Sequence, residues 1–218
     1  MTYFLTFLVL SGTTIITLLL VTSGDLSDDK NKGEYYIKNA LVSETSVNII
    51  ASITYYYLLG LLQNNYDFVT PIRYLDWVIT TPLLLLSFVL YTTYKHNHKN
   101  PDATDKDLDL GPLLLIIGFN FGMLLFGYLG ETKRVNKYTG LGVGFVFFAL
   151  LFWYLYEHYV DGYDSSLTVY IAFTTVWALY GVAYLLKPGA KNIAYNILDM
   201  ISKGGFGVLL WLTVIQDK

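Results

Sequence analysis

Five ionisable residues stand inside long apolar stretches of the sequence, where a charge is costly. They are Glu44, Arg73, Asp76, Asp199 and Lys203. Ionisable groups within apolar spans mark functional sites by default. A lysine amine held away from water becomes nucleophilic and favours condensation with an aldehyde, and a buried cation needs a carboxylate beside it. The residue types therefore indicate a lysine that carries an aldehyde ligand, with carboxylates as partners.

The spacing of these residues places them on shared helix faces. Asp199 and Lys203 are four residues apart, and Arg73, Asp76 and Thr80 follow each other at i, i+3 and i+7. Residues at such spacings lie on one face of a helix, so the pattern predicts that the charges converge inside a helix bundle. A structural ion pair that locks two helices together is the other interpretation, although desolvation offsets most of the attraction in a buried pair.

Seven apolar stretches are long enough to carry these residues across a bilayer. Apolar residues make up 54% of the 218 residues and charged residues only 14%, with a mean hydropathy of +0.46. This composition excludes a disordered protein, a coiled coil and a typical soluble enzyme. A helix of roughly 20 residues spans the hydrocarbon core, and backbone groups in lipid must be paired within their own segment. The predicted helices cover residues 2–22, 36–62, 71–94, 110–130, 138–159, 165–186 and 191–215.

The fold class predicted is all-α, a seven-transmembrane bundle in which residues 1–218 form a single domain. The first stretch lacks the basic start and the small-residue cleavage pattern of a signal peptide, so it is interpreted as a spanning helix. With the N-terminus outside, seven Lys or Arg residues fall on the inside and five on the outside, which weakly favours that orientation. A net charge of −3 and zero cysteines give no reason to expect a nucleic-acid partner or a thiolate metal site.

Two strings in the sequence carry a family resemblance. The first is RYLDWVITTPLLLL at residues 73–86, and the second is DMISKGGFG at residues 199–207. The chain resembles the microbial (type 1) rhodopsins in both strings, and the likeness extends over nearly its whole length. The resemblance implies a protein that is not an enzyme, with its N-terminus outside. It also implies that Lys203 holds all-trans-retinal as a protonated Schiff base in the core of the bundle.

The resemblance also implies roles for the other charged residues. Asp76 is expected to be the primary counterion and proton acceptor, and Asp199 the second counterion. Arg73 is expected to keep both carboxylates ionised. Thr80 is expected to donate a hydrogen bond to the Asp76 carboxylate, and the alternative for Thr80 is a bond to its own i−4 carbonyl.

Aromatic residues are expected to line the retinal pocket. The W-x-x-Y spacing on the sixth helix matches the family pattern, although glycine replaces the family's proline and tyrosine its second tryptophan. The residues expected in the pocket are Trp77, Asn120, Met123, Trp177, Tyr180, Gly181 and Tyr184, with Gly144 and Phe148 as further candidates on the fifth helix.

A polar stripe on the second helix is the feature of the sequence that bears on ion conduction. Glu44, Asn48 and Ser52 lie at i, i+4 and i+8, and Ser11 and Asn196 are expected to face the same seam. Interhelical hydrogen bonding alone accounts for such a stripe in one interpretation. In the other, the stripe is a cation path with Glu44 as a gate on the cytoplasmic side, as channelrhodopsins use polar and glutamate residues on their second helix.

The residues that a proton pump requires are incomplete. Ser87 stands eleven residues after Asp76, where outward proton pumps have a carboxylic donor, and a serine does not cycle a proton near neutral pH. Gly189 and Lys191 stand where pumps like bacteriorhodopsin have a glutamate pair. The set of Asp76, Thr80 and Ser87 resembles the group 1 rhodopsins of large algal viruses, a group associated with light-gated cation channels.

We therefore expect a light-gated, cation-conducting channel. A light-driven outward proton pump and a sensory photoreceptor are the alternatives, and a sensor would signal through a partner membrane protein. The expected partners are the lipid bilayer, retinal, and small cations or protons, without metal or nucleic acid. An oligomer is compatible with the sequence.

Overall fold

The computed structural model describes residues 1–24, 26, 28–29, 34–61, 69–99, 108–160 and 164–217. These residues form helices and their connections, with no strand in the described part of the chain. The helices are α1 (Thr2–Thr22), α2 (Glu34–Leu61), α3 (Val69–Lys99), α4 (Leu110–Glu131), α5 (Lys137–Tyr159), α6 (Asp164–Tyr184), α7 (Pro188–Asp199) and α8 (Phe206–Gln216). A π-helical turn, Met200–Gly205, joins α7 to α8. We call the continuous helix Pro188–Gln216 the seventh helix. The predicted all-α bundle of seven helices is confirmed.

The helices present many large apolar side chains outward and bury a number of polar ones inside, unlike those of a soluble protein. On α1, Thr6, Thr13 and Thr17 are buried against the bundle, whereas Leu5 and Leu19 are more than half exposed. A buried threonine is tolerated because its hydroxyl donates to the backbone carbonyl four residues earlier in the same helix. The Thr13 hydroxyl donates to the Val9 carbonyl in this way. Such a surface is stable only when lipid covers it.

Six of the seven helices are long and apolar enough to cross a membrane by length and composition. The second helix, α2, is not among them. It carries Glu34, Lys38, Glu44 and Asn48 within its 28 residues, and these lower its hydropathy. Two of them, Glu44 and Asn48, belong to the polar stripe that the sequence singles out.

The helix boundaries differ from the predicted ones by a few residues. The third helix, predicted at 71–94, extends over Val69–Lys99. The sixth helix, predicted at 165–186, ends at Tyr184, because the amides of Leu185 and Leu186 bond carbonyls three residues back and so tighten the last turn. Residue 62, the predicted end of the second helix, lies outside the described residues.

Aromatic packing holds one half of the bundle together. The rings of Phe88 and Phe173 stack with centroids 5.0 Å apart, and Phe173 also contacts Trp177 at 5.1 Å. Phe152 meets Trp177 edge to face at 5.6 Å, and Phe206 closes the cluster from the seventh helix at 5.6 Å from Phe173. Aromatic pairs at such distances add about 0.5–1.5 kcal/mol each. The cluster therefore fixes α3, α5, α6 and the seventh helix around the central site.

Candidate functional site

Lys203 lies on the π-helical turn of the seventh helix and is 1% exposed. A π turn is rare and is found mostly at functional sites. The adjacent Gly204 lets this turn pack closely on α1, because a Cβ there would lie 3.2 Å from the Val9 side chain and 3.4 Å from that of Thr13. The sequence analysis missed the π turn, and the pair Gly204–Gly205 is the only signal in the sequence that favours an irregular helix at this point.

The ammonium of Lys203 lies between two carboxylates. Its Nζ donates to Asp76 Oδ2 at 2.5 Å and lies 3.8 Å from Asp199 Oδ1. All three side chains are at most 2% exposed. The i, i+4 spacing of Asp199 and Lys203 and the position of Asp76 on α3 thus produce the convergence that the sequence predicts. One buried cation is held by one direct and one more distant anion.

Asp76 is supported by α2 and not by Thr80. The Thr54 hydroxyl donates to Asp76 Oδ1 at 3.3 Å. The Thr80 hydroxyl donates to the backbone carbonyl of Asp76 at 2.9 Å, so the hydrogen bond predicted from Thr80 to the Asp76 carboxylate is wrong. A hydroxyl four residues along a helix is within easy reach of the i−4 carbonyl, and this local bond prevails.

Asp199 accepts hydrogen bonds from three helices. Tyr55 donates to its Oδ2 at 2.6 Å, Tyr180 to its Oδ1 at 2.6 Å and Trp77 Nε1 to the same oxygen at 3.4 Å. The Tyr180 hydroxyl also meets the Ser202 hydroxyl at 2.9 Å. These donors fix the position of the Asp199 carboxylate between the three helices.

Arg73 joins this cluster from α3. Its Nη1 lies 3.6 Å from Asp199 Oδ2 and donates to the Tyr55 hydroxyl at 3.0 Å, and its Nη2 donates to Asn196 Oδ1. Among the described residues Arg73 has no ion pair with Asp76, so it contacts only one of the two carboxylates that it is expected to keep ionised. Asn196, expected in the polar seam, accepts from Arg73 and from the Tyr55 hydroxyl.

An internal cavity opens beside Lys203. Trp77 forms one wall and meets Tyr180 and Tyr195 edge to face, with ring centroids 5.5 Å and 5.1 Å away. Opposite it, Gly181 lies against Phe145 so closely that a Cβ at Gly181 would collide with that ring. The predicted pocket residues found in its lining are Trp77, Met123, Gly144, Phe148, Trp177, Tyr180, Gly181 and Tyr184.

Asn120 is the predicted pocket residue that does not line the cavity. It is fully buried and its Nδ2 donates to the Thr81 hydroxyl at 2.8 Å. Thr81 itself lines the cavity, so Asn120 lies behind Thr81 and does not contact the cavity. Its position on α4 faces α3, which already occupies the space between Asn120 and the cavity.

Several polar residues of the site were not assigned to it from the sequence. Thr54, Thr81 and Ser202 are hydroxyl residues in helices rich in such residues, and their spacing to the charged residues becomes visible only when the helices pack together. Tyr55 and Tyr195 are two of 20 tyrosines.

The polar stripe of α2 faces α1 and the seventh helix. Asn48 Nδ2 donates to Glu44 Oε1 at 2.9 Å, and both side chains are fully buried. Glu44 Oε2 and Asn48 Oδ1 have no hydrogen-bond partner within the described residues. The predicted neighbours Ser11 and Ser52 meet through their hydroxyls at 3.3 Å. Two buried acceptors without a donor are costly in a dry interior, so this level of the seam is suited to a cation or a water molecule.

Ser87 is bound to the backbone of α2. Its hydroxyl donates to the Ala40 carbonyl at 2.9 Å, in a fully buried position. This bond uses the only proton that the side chain has to donate. The residue thus ties α3 to α2 at the position where pumps have a donor acid.

One acid at the opposite end of the bundle was also missed. Glu131, the last residue of α4, lies 2.5 Å from Lys191 Nζ. Lys191 is the residue that stands where a pump has a glutamate. The structure thus brings a carboxylate to this end from a different helix, and no sequence pattern connects the two positions.

Comparisons with known proteins agree with this architecture. The sequence profile of a family described as bacteriorhodopsin-like protein matches residues 2–217. The crystal structure of viral rhodopsin OLPVRII superposes with a TM-score of 0.85 at 31% identity, covering 99% of this chain and 96% of that one. The green-light absorbing proteorhodopsin of Gamma-proteobacterium EBAC31A08 is 27% identical over 198 residues, which are 83% of this chain and 76% of the relative.

Bacteriorhodopsin of Halobacterium salinarum is 27% identical over 221 residues, which are 89% of this chain and 76% of the relative. The predicted likeness to microbial rhodopsins, a viral one among them, is confirmed, while the assignment to group 1 stays a prediction. The seven helices, the buried lysine between two carboxylates and the match over residues 2–217 lead to one conclusion: the chain is an integral, multi-pass membrane protein and belongs to the bacteriorhodopsin-like family.

Proposed function

We propose that this protein binds retinal at Lys203 and conducts cations across the membrane when illuminated. The polar seam between α1, α2 and the seventh helix is the observation that carries the channel proposal. The retinal proposal rests on the buried lysine, on its two carboxylates and on the aromatic cavity beside them.

The residues present fit a long, apolar aldehyde. The amine of Lys203 lines a cavity whose walls are mainly apolar and aromatic, and Gly181 lets the Phe145 ring pack closely against α6 in this wall. The open space is about 120 Å³, so the wall must give way to admit a retinoid. Met123 is suited to this because its side chain is flexible, and Phe145 is 38% exposed at the bundle surface.

Bound retinal would supply absorption of visible light and a change of shape on illumination. The protein's own residues control a proton at the Lys203 nitrogen. Asp76 Oδ2, at 2.5 Å, is the acceptor in direct reach. Asp199 accepts from Tyr55 and Tyr180 and lies beside Arg73, and at 3.8 Å from the Lys203 nitrogen it leaves Asp76 as the nearer acceptor for the proton. Transfer neutralises both partners and removes the ion pair that joins α3 to the seventh helix.

The polar seam extends along the middle of α2 at three successive levels. Asn196 and Tyr55 form the first level, Ser11 and Ser52 the second, and Glu44 and Asn48 the third. At the height of the third level the Thr45 hydroxyl donates to that of Thr17 at 2.8 Å. Hydroxyls, amides and one carboxylate can replace the hydration shell of a cation without trapping it.

Gly207 is the contact at which the seventh helix closes this seam. A Cβ at Gly207 would lie 2.7 Å from Thr13 and 3.4 Å from both Glu44 and Asn48. The residue is four positions after Lys203, one turn along the same helix. A displacement of the seventh helix that follows loss of the Lys203–Asp76 ion pair would therefore open the seam at Glu44.

We propose that the N-terminus lies outside. In this orientation α2 enters the membrane from the cytoplasmic side. Glu44 then lies on the cytoplasmic side of Lys203 and gates the path there. We further propose that residues 1–218 act as a single domain.

An outward proton pump is the second candidate. The direct contact of Lys203 with Asp76 favours it, because a pump needs an acceptor in that place. The bond of Ser87 to the Ala40 carbonyl argues against it, because the usual donor position then carries neither an acid nor a free hydroxyl.

Replacing Glu44 with glutamine should reduce the photocurrent about tenfold. The substitution keeps the size of the side chain and replaces one carboxyl oxygen, a ligand for a passing cation, with an NH₂ group, and a hydrogen bond or ion contact to a charged group is worth about 1.5–3 kcal/mol. The measurement is the whole-cell photocurrent of retinal-supplied cells at equal protein expression.

Glu157→Gln is the matched control, because Glu157 lies on the exposed face of α5. It should leave the current unchanged. Wild-type current in Glu44→Gln would mean that the Glu44–Asn48 pair only joins helices.

A further inference from the structure

A second cavity lies at the end of the bundle where α1 begins, away from the Lys203 site. It has a volume of about 780 Å³ and lies among the end of α4, the start of α5 and the start of the seventh helix. Three lysines and one glutamate line it: Lys133, Lys137, Lys191 and Glu131. The lining therefore has an excess of positive charge but contains one buried anion.

The cations of this cavity point to a negatively charged ligand group. No described carboxylate lies within ion-pair distance of Lys133 or Lys137, and the Lys137 ammonium lies 5.3 Å from the ring of Tyr184.

The start of the seventh helix adds a backbone donor to the same cavity. Lys187 precedes its first turn and makes no side-chain capping hydrogen bond. Pro188 and Gly189 line the cavity, and because proline has no N–H, Gly189 is the one of the two that offers an amide. The first amides of a helix lack intrahelical acceptors and carry a partial positive charge. A phosphate is a suitable partner for such a terminus when lysines surround it.

Glu131 requires a different group of the same ligand. Its side chain is 8% exposed, and one oxygen accepts from Lys191 at 2.5 Å. The other oxygen, Oε1, is buried and has no hydrogen-bond partner among the described residues. A carboxylate oxygen needs a donor, and a phosphodiester has none. A primary ammonium on the ligand would satisfy it.

We propose that this cavity binds a phosphate ester that carries a primary amine, the chemistry of a phosphoethanolamine headgroup. The phosphate lies against Lys133, Lys137 and the start of the seventh helix, and the ammonium donates to Glu131 Oε1. Val135 and Leu186 add apolar surface to the lining, which suits the glycerol end of a lipid. The cavity stands at helix ends, the level at which lipid headgroups lie.

The test compares two lipids that differ only in donors on nitrogen. Delipidated full-length protein is titrated with phosphatidylethanolamine or phosphatidylcholine of identical acyl chains, and bound lipid is counted by native mass spectrometry. The choline nitrogen has no N–H, so phosphatidylethanolamine should bind about tenfold more tightly, the effect of one charge-assisted hydrogen bond. Equal affinity for the two lipids would overturn the proposal.

Variants assign the two halves of the ligand. The double variant Lys133→Ala and Lys137→Ala should weaken the binding of both lipids about tenfold. It leaves the Glu131–Lys191 pair intact, so it tests the site even if Glu131→Gln fails to fold. Glu131→Gln should remove the preference for ethanolamine. Arg134→Ala is the control, because Arg134 is exposed on the same turn and does not line the cavity. An equal loss in Arg134→Ala would contradict a defined site.

Phosphoethanolamine without acyl chains separates the two sources of this chemistry. If it binds as tightly as the lipid, the natural ligand is a soluble ester. If only the lipid binds, the ligand is a headgroup of the bilayer. Inorganic phosphate binding as tightly as phosphoethanolamine would overturn the role of Glu131.

Discussion

Replacing Lys203 with alanine should abolish visible absorbance completely. Lys203 is the only amine that reaches the cavity among its lining residues, so no other residue there can hold an aldehyde covalently. The measurement is the absorption spectrum of purified protein after addition of all-trans-retinal.

Lys187→Ala is the matched control for this experiment. Lys187 lies just before the seventh helix and is exposed, so its loss should leave the colour intact. Visible absorbance retained in Lys203→Ala would contradict the assignment of the chromophore site. A colourless protein that still unfolds cooperatively would exclude general misfolding as the cause.

Replacing Asp76 with asparagine should shift the absorbance to the red. The carboxylate at 2.5 Å is the nearest anion to the Lys203 nitrogen, and a weaker counterion narrows the excitation gap of the bound chromophore. Removal of one partner of a buried ion pair also destabilises a protein by about 3–5 kcal/mol. The measurements are the absorption maximum and the thermal denaturation of the pigment.

Two further variants should shift the absorbance less than Asp76→Asn does. Asp199→Asn should shift the absorbance less, because its carboxylate lies 3.8 Å from the nitrogen. Thr80→Val should leave the spectrum close to that of the wild type, because the Thr80 hydroxyl donates to a backbone carbonyl. A larger shift in Asp199→Asn than in Asp76→Asn would reverse the assignment of the primary counterion.

Most of the fold and the charged centre could be predicted from the sequence because they depend on local patterns. Apolar length defines a spanning helix, and the i, i+4 spacing of Asp199 and Lys203 defines a shared face. The contact of Lys203 with Asp76 follows once the two helices are neighbours. These features need no knowledge of how side chains pack between helices.

The parts that could not be predicted depend on packing between helices. Thr80 has two acceptors within reach, and only the structure shows that its hydroxyl bonds the backbone. The Thr54 hydroxyl on α2 donates to Asp76 on α3, and the sequence pattern of neither helix indicates this contact. Asn120 lies behind Thr81 because α3 fills the intervening space. The Glu131–Lys191 pair joins residues 60 positions apart.

The photocurrent measured against holding voltage tests the central claim most directly. Cells that express the protein and are supplied with retinal are recorded under two different cation gradients. A passive cation path predicts a current that reverses near the equilibrium potential of the permeant cation and moves with the gradient. A current that stays outward at every voltage would contradict the channel and establish a pump in its place.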